Sequence, residues 1–350
     1  MKRAALPLAM LLCLLVGCGA EPPTGITVLT YASPYGPGHP FSRADLEWID
    51  WVARRSDGKL RIQPYWSGGV LSSEHSMTEL RHGVVDIGLI TPIYARGGTH
   101  LIRTQAAFYG GLTTFRDQVA LYHCLQRSEP QFGRELAGLV VLAVQGGNLP
   151  GILTRDRRVE TLEDLKGLRL RAPAELLGVL RHLGADPVEM PMGEVYSALA
   201  KGVLDGVVAP KDTLKSLHFA EVTHYFNTLS IPRGAYAARA MGEQRWQSLD
   251  ESQRAILLEG VAVWERALEA QLLAAEIAGD ALGKEHGVVY TAPPAGDVAR
   301  FLEAYDSFAS ESAESLKRFE LDGLTSFRHA RSLIEQRQRS GRIDCQGAGA

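Results

Sequence analysis

Short apolar runs alternate with segments of helical periodicity along most of the chain. The runs predict strands, and they lie at 26–32, 60–66, 84–90, 139–144, 168–171, 203–208 and 288–291. Between them, apolar residues recur at helical spacing and predict helices at 42–55, 73–82, 115–127, 175–183 and 193–201. This alternation predicts an α/β fold with mostly parallel sheets flanked by helices.

The C-terminal third has a different pattern, with one long helix predicted at 248–284. Its apolar stripe repeats at intervals of three and four, and consists of Leu257, Val261, Trp264, Leu268 and Leu272. Ser248 and Glu251 have the spacing of a capping pair at its start. A helix of that length extends about 50 Å, so we expect it to lie across more than one lobe. Helices near 297–319 and 325–338 follow.

Two segments of the chain end alike. Residues 82–86 read HGVVD and residues 201–205 read KGVLD, and a glutamate precedes each, Glu74 and Glu194. A repeated strand–helix–strand ending favours two similar lobes, although helix–glycine–strand sequences are common by themselves. Two α/β lobes that meet at a crevice are a usual place for a small-molecule site.

The N-terminus reads as an export signal. Lys2 and Arg3 precede an apolar core that is too short to span a bilayer, so residues 1–17 are predicted to be a signal peptide. The sequence LVGC at 15–18 resembles a bacterial lipobox, which implies that Cys18 is lipidated and that 18–25 form a tether. The alternative is an ordinary signal peptide with an incidental cysteine.

Two cysteines remain in the exported body of the protein. Cys124 and Cys345 form an even pair, and an oxidising compartment permits a disulfide between them. The alternative is a buried thiol on a helix and an unrelated thiol in the tail.

Composition and motifs exclude several classes of function. The formal net charge is −3, and a mildly acidic chain lacks the basic stripe that nucleic-acid binding needs. The sequence contains no glycine-rich nucleotide loop, no nucleophile elbow and no His or Cys pair at metal-ligand spacing. We therefore expect no cofactor, no metal and no enzymatic activity.

The most specific stretch lies in the middle of the chain. Residues 165–173 read LKGLRLRAP and residues 184–206 read GADPVEMPMGEVYSALAKGVLDG, with supporting segments GGVL at 68–71, RHGVVDIGL at 81–89 and WQSL at 246–249. This pattern resembles the substrate-binding subunits of TRAP (tripartite ATP-independent periplasmic) transporters. The resemblance runs in order through nearly the whole exported chain.

The resemblance implies a two-lobed, periplasmic-binding-protein-like fold that closes on an organic acid, with the long helix spanning both lobes. It places lobe I at 26–148 with part of 235–290, and lobe II at 149–234 with part of 290–345. The implied partners are the small and large TRAP membrane subunits, which an ion gradient drives. The expected location is the periplasmic face of a bacterial membrane.

The resemblance also implies the principal ligand contact, an arginine at the position of Arg171 that pairs with the ligand carboxylate. A guanidinium offers two parallel donors to a planar carboxylate. Leu168 and Leu170 face one way along the predicted strand, whereas Arg169 and Arg171 face the other. Further candidates come from loops after strands and from positions where relatives use aromatic residues: Tyr35, Glu74, Thr91, Tyr94, Phe108, Asn148 and Tyr236.

The chain departs from the family pattern at two positions. Pro150 stands where many relatives have a second arginine, and Ala209 stands where many have an asparagine. Fewer polar contacts favour a monocarboxylate or a bulkier, more apolar acid over a succinate-like diacid. Arg233 or Asn148 could supply a substitute contact. The alternatives to transport are a lipoprotein sensor or a carrier of a hydrophobic ligand, and a cleft enzyme.

Overall fold

The computed structural model describes residues 25–95 and 97–345, which form two β-sheets covered by helices. The predicted signal peptide, Cys18 and all of the predicted tether except Gly25 lie outside the described residues. In the part of the chain that is described, no helix is both long enough and apolar enough to cross a membrane.

Five strands form the first sheet, in the order β2-β1-β3-β10-β4, and six form the second, in the order β11-β9-β5-β8-β6-β7. In chain order the strands are β1 (Thr27–Ala32), β2 (Leu60–Tyr65), β3 (Ile87–Leu89), β4 (Leu139–Gln145), β5 (Gly151–Thr154), β6 (Arg169–Arg171), β7 (Asp186–Val188), β8 (Gly206–Ala209), β9 (Tyr225–Asn227), β10 (Tyr236–Gly242) and β11 (Val289–Thr291).

Helices connect the strands and cover the sheets. In chain order the α-helices are α1 (Pro40–Arg55), α2 (Ser76–Arg81), α3 (His100–Thr104), α4 (Phe115–Ser128), α5 (Pro130–Glu135), α6 (Leu177–His182), α7 (Met192–Ala200), α8 (Thr213–Ser216), α9 (Glu243–Gln247), α10 (Glu251–Glu259), α11 (Val261–Glu285), α12 (Ala295–Ser315) and α13 (Gly323–Ser340). Short 3₁₀ turns lie at Pro92–Tyr94, Gln105–Ala107, Leu162–Leu165, Ala174–Leu176, Phe219–Glu221 and Leu316–Phe319.

The α/β fold predicted from the sequence is confirmed, and the sheets are mixed. Among the described strands, five neighbouring pairs run parallel and four run antiparallel. The antiparallel pairs all involve β5 or β10, which are the first strands after the first two of the three places where the chain passes from one sheet to the other. The sequence pattern did not predict β5, β7, β9 or β10, and the antiparallel pairs of β5 and β10 make the sheets less parallel than expected.

The two similar sequence endings have the same structural role. The carboxylate of Asp86 accepts a hydrogen bond of 2.7 Å from the backbone N–H of Thr30, beside β1 and β3. The carboxylate of Asp205 accepts one of 2.7 Å from the backbone N–H of Arg169, beside β6 and β8. Each aspartate therefore ties its own segment to the neighbouring parallel strand, once in each sheet.

Two predicted helix starts are wrong by a few residues. Helix α1 begins at Pro40, and His39 caps it by accepting a hydrogen bond from the N–H of Phe41 through Nδ1. Ser42, where the helix was predicted to begin, lies fully buried inside the helix, as does Asp45. Farther along, Asp250 and Gln253 form the capping box that the sequence suggested for Ser248 and Glu251.

The predicted long helix forms as α10 and α11, joined at Gly260. A side chain at Gly260 would collide with Trp48 of α1, so glycine allows α1 and the junction of α10 and α11 to approach closely. Helix α11 has 25 residues and is about 37 Å long. Trp264 packs in the core beneath the first sheet, whereas Leu282 packs against the core of the second. The helix therefore contacts both sheet regions.

A buried ion pair joins the first sheet to α1 and α11. The carboxylate of Asp45 accepts hydrogen bonds from the Nε and Nη2 of Arg239 at 2.7 and 3.1 Å, from Trp264 Nε1 at 2.7 Å and from the Tyr31 hydroxyl at 2.5 Å. Asp45 and Arg239 are both almost completely buried. Buried charges of this kind are tolerated where geometry and further hydrogen bonds compensate for lost hydration.

The structure places a disulfide between Cys124 on α4 and Cys345 after α13, with 5.1 Å between their Cα atoms. The bond ties the C-terminal segment to the body of the first sheet region.

Candidate functional site

A cavity of about 90 Å³ lies between the two sheets. Residues from both sides form its wall: Tyr35, Phe41, Thr91, Ile93, Tyr94, Ala106, Pro150, Arg171, Pro173, Glu175, Leu176, Met192, Val208, Pro210, Pro232, Arg233, Gly234 and Tyr236. Several of them follow the carboxyl ends of β1, β3, β6 and β8. The cavity therefore lies at the crevice position typical of ligand sites in α/β folds.

Arg171 is the central charged group of this wall. It ends β6, and pairing with β7 and β8 on either side fixes its backbone. Its side chain is only 2% exposed. Nε donates a hydrogen bond of 3.0 Å to the Met190 carbonyl, and Nη2 donates one of 2.6 Å to the Tyr94 hydroxyl. Within residues 25–95 and 97–345, no carboxylate forms an ion pair with it.

Tyr94 contacts the Arg171 guanidinium from the side of the first sheet. It lies on the 3₁₀ turn that follows β3. Because a guanidinium can only donate hydrogen bonds, the Tyr94 oxygen must accept from Arg171, which leaves the phenolic proton to donate elsewhere. The Tyr94 ring also lies beneath the guanidinium, with 5.9 Å between the ring centroid and Arg171 Cζ.

A second tyrosine is oriented by a buried chain of hydrogen bonds. Arg239 Nη1 donates to Gln145 Oε1 at 3.0 Å, so the amide of Gln145 must point its Nε2 toward the Tyr236 hydroxyl, 2.8 Å away. The Tyr236 oxygen accepts that bond and keeps its own proton free to donate. Burial raises the pKa of Tyr236, so the hydroxyl remains protonated.

Arg233 supplies a second guanidinium to the wall. It lies in the segment that returns the chain to the first sheet, and its Nη1 donates a long hydrogen bond of 3.4 Å to the Asn148 carbonyl. A side chain at Gly147 would collide with this guanidinium, so the glycine makes room for it. As for Arg171, the described residues provide no carboxylate that forms an ion pair with Arg233.

Glu175 brings one carboxylate to the cavity. It lies on the 3₁₀ turn Ala174–Leu176, four residues after Arg171. Burial raises the pKa of Glu175, and the nearby guanidiniums of Arg171 and Arg233 oppose that rise.

The apolar part of the cavity is lined by aromatic and aliphatic side chains. Tyr35 stacks on His39 with 4.1 Å between ring centroids and meets Phe41 edge to face at 5.5 Å. Burial raises the pKa of Tyr35. Thr91 is buried, and its hydroxyl donates to the Ser73 carbonyl.

The structure brings together five of the eight candidate ligand residues named from the sequence: Tyr35, Thr91, Tyr94, Arg171 and Tyr236. The other three lie elsewhere. Phe108 is fully buried in the core of the first sheet region, edge to face with Phe327. Asn148 donates to Asp212 and to the Leu272 carbonyl and lines a neighbouring pocket, and Glu74 lies outside the cavity wall.

Sequence reasoning missed Glu175 and named Arg233 only as a substitute. Glu175 could have been found from its position four residues after Arg171 on a segment that leaves a strand. Pro150, at the position of the family's second arginine, lines the cavity without a charge, whereas Ala209 is buried behind it.

Two of the polar contacts that bridge the two sheet regions beside the cavity involve Arg171 and Arg103. The first is the bond between Arg171 and Tyr94. The second is an ion pair in which Arg103 Nη2 on α3 lies 3.1 Å from Glu189 Oε2, just after β7. Both hold the two sides together around the enclosed space. No group of His, Cys, Asp and Glu side chains among the described residues is arranged to hold a metal ion.

Solved structures with the same architecture are solute-binding proteins. A TRAP solute-binding protein from Rhodoferax ferrireducens, solved with copurified benzoate, has a TM-score of 0.80 and 24% identity, covering 90% of this chain and 99% of its own. A marine metagenome TRAP solute-binding protein, solved with metahydroxyphenylacetate, has a TM-score of 0.77 and 24% identity, covering 89% and 99%. These likenesses establish the fold.

Sequence comparisons agree. A solute-binding protein of Chromohalobacter salexigens is 24% identical over 250 residues, which are 67% of this chain and 72% of that protein. The first curated relatives are matched over 37% to 72% of their own lengths. The family model for bacterial extracellular solute-binding proteins, family 7 (DctP), matches residues 32–315. Since that match covers most of the sequence, this chain belongs to the DctP family of bacterial extracellular solute-binding proteins.

Proposed function

We propose that this chain captures a small monocarboxylic acid with an apolar, aromatic body in the cavity between its two sheets. The observation that carries the proposal is Arg171, which is buried, faces the cavity and has no carboxylate partner among the described residues. A buried guanidinium without a counter-ion is costly unless a ligand supplies the anion. The carboxylate of the ligand fills that role.

The rest of the wall suits such a ligand. Arg171, Tyr94 and Tyr236 all present donors, which match the acceptor-only oxygens of a carboxylate. A volume of about 90 Å³ is several times the space that one water needs, so the cavity has room for a small molecule. The benzoate, metahydroxyphenylacetate and 3-hydroxybenzoate bound by similar structures support an aromatic acid.

The proposed mechanism is closure around the acid. One half comprises 26–148 with part of 235–290, and the other comprises 149–234 with part of 290–345. The contacts of Arg171 with Tyr94 and of Arg103 with Glu189 stabilise the closed form. The loaded protein then delivers its ligand to the small and large TRAP membrane subunits. An anchor through Cys18, after removal of 1–17, keeps it at the periplasmic face of the membrane.

The ligand can be identified by native mass spectrometry of the small molecule that copurifies with the protein. Calorimetric titration with that acid then tests Arg171→Ala, which should weaken binding at least about a hundredfold. Arg181→Ala removes an exposed arginine outside the cavity and should bind like the wild type. Tight binding of an uncharged ligand, or unchanged affinity in Arg171→Ala, contradicts the proposal.

Delivery needs its own measurement. Cells that produce the chain together with TRAP membrane subunits should accumulate the labelled acid, and cells with the membrane subunits alone should not. Intact-mass analysis of membrane-extracted protein tests for the lipid on Cys18.

A further inference from the structure

Charges on the cavity wall are few and unequal in sign. Among the lining residues in the described part of the chain, Arg171 and Arg233 are positive, and Glu175 is the only carboxylate. The wall therefore has a formal charge of +1 when Glu175 is ionised. A bound monocarboxylate makes the enclosed space neutral, whereas a dicarboxylate leaves it at −1. An enclosed net charge is strongly disfavoured where water is excluded.

Glu175 is placed to act on the ligand rather than to neutralise an arginine. Neither guanidinium lies within ion-pair distance of it among the described contacts, and the hydrogen bonds of Arg171 go to Met190 and Tyr94 instead. The turn Ala174–Leu176 follows directly on β6, whose pairing on both sides fixes its position. Glu175 therefore lines this cavity, and a neighbouring pocket beside Arg103, without a described ion pair that neutralises its carboxylate.

We propose that Glu175 is a specificity-determining residue that restricts this cavity to monocarboxylates by repelling a second carboxylate. The inference rests on the proposed function, since it concerns the same cavity and the same carboxylate anchor. It is separate from the loss of the family's second arginine at Pro150, because Arg233 restores a cation that could otherwise hold a second carboxylate.

The test compares pairs of ligands of nearly the same shape, in which a carboxylate is replaced by an uncharged amide. Terephthalate and 4-carbamoylbenzoate have nearly the same shape, as have succinate and succinamate, and in each pair only the first is a dianion at pH 7.5. Calorimetric titration gives the ratio of the two dissociation constants for each pair. In the wild type the amide should bind more tightly. In Glu175→Gln, which keeps the size of the side chain, the ratio should shift toward the dianion at least about tenfold.

Two control variants test whether the effect depends on the negative charge at position 175. Glu175→Asp keeps the charge and should retain the preference for the amide. Glu194→Gln removes an exposed carboxylate outside the cavity and should behave like the wild type. Thermal melting of each variant verifies the fold.

The inference is overturned if Glu175→Gln folds but its affinity for the dianion relative to the amide does not increase in either pair. Benzoate serves as the reference for the proposed function. If the wild type binds benzoate but the ratio does not move, only the role of Glu175 is lost. If neither the wild type nor any variant binds a carboxylate, the proposed function fails and this inference fails with it.

Discussion

Arg171 donates a hydrogen bond of 2.6 Å to the hydroxyl of Tyr94, although the two residues are 77 positions apart and belong to different sheet regions. A carboxylate at the guanidinium therefore meets donors from both sides of the cavity at once. Because such a ligand makes more contacts in the closed arrangement than in an open one, its binding shifts the population toward closure.

The first prediction concerns that hydroxyl. In Tyr94→Phe, Arg171 loses an acceptor and the ligand loses a donor, so the affinity for the bound acid should fall about tenfold, or roughly 1.4 kcal/mol. Calorimetric titration measures this change. Tyr65→Phe alters an exposed tyrosine at the edge of the first sheet and should have no effect. Equal affinities for wild type and Tyr94→Phe would remove Tyr94 from the site.

A second prediction follows from the orientation of Tyr236. In Gln145→Glu the side chain can only accept, so the Tyr236 proton turns away from the ligand. Both Gln145→Glu and Tyr236→Phe should weaken acid binding by a similar factor of about ten. Since both act through one hydroxyl, the double variant should bind no more weakly than either single one. Fully additive losses would mean that Gln145 does not act through Tyr236.

The third prediction concerns stability at the buried pair. Asp45→Asn leaves Arg239 as an uncompensated buried charge, and the free energy of unfolding should fall by about 3–5 kcal/mol. Glu259→Gln removes the partner of Arg55 in an exposed ion pair and should cost less than about 1 kcal/mol. Urea unfolding at pH 7 distinguishes the two. Similar small losses in both variants would show that the buried network contributes little to stability.

The fourth prediction is a pH dependence at His39. Burial lowers the pKa of this imidazole from its usual 6.5 to about 3, with a smaller effect from Arg239 and Arg233. Between those values the unfolded chain binds a proton that the folded chain does not, so stability falls as pH decreases below 6.5. Lowering the pH from 7.5 to 5 should therefore reduce the free energy of unfolding by about 2 kcal/mol through this group.

His39→Asn keeps a side-chain acceptor for the N-terminus of α1 but does not titrate. Urea unfolding at pH 7.5 and pH 5 should therefore show a smaller loss for the variant than for the wild type. The difference between the two proteins isolates His39 from the carboxyl groups that titrate in both. Identical losses would mean that His39 is free to protonate in the folded state.

The fifth prediction concerns the disulfide between Cys124 and Cys345, which are 221 positions apart. Cys345→Ser should lower the free energy of unfolding by about 2–4 kcal/mol, because the unfolded chain regains conformational freedom. A reducing agent should destabilise the wild type by a similar amount and leave the variant unchanged. A wild type insensitive to reduction would indicate two free thiols.

The sequence was sufficient for the fold class and for the position of Arg171. Apolar periodicity reports which face of a local segment is buried, and it placed this arginine at the end of a strand of alternating Leu and Arg residues. The similar endings at Asp86 and Asp205 were also visible in the sequence, whereas their hydrogen bonds to the neighbouring strands were seen only in the structure. The strands that the sequence pattern missed, β5, β7, β9 and β10, are either three or four residues long or buried along their whole length, so they give no clear alternation.

Only the tertiary structure decided which side chains share the cavity. Phe108, Asn148 and Glu74 lie in segments that the sequence placed near the crevice, yet packing directs them elsewhere. Glu175 and Arg233 reach the cavity through a short turn and a return segment whose paths depend on contacts with distant residues such as Gly147. Local periodicity indicates which face of a segment is buried. Its neighbours across a cleft are set by how two separate sheets pack together, and no local pattern records that arrangement.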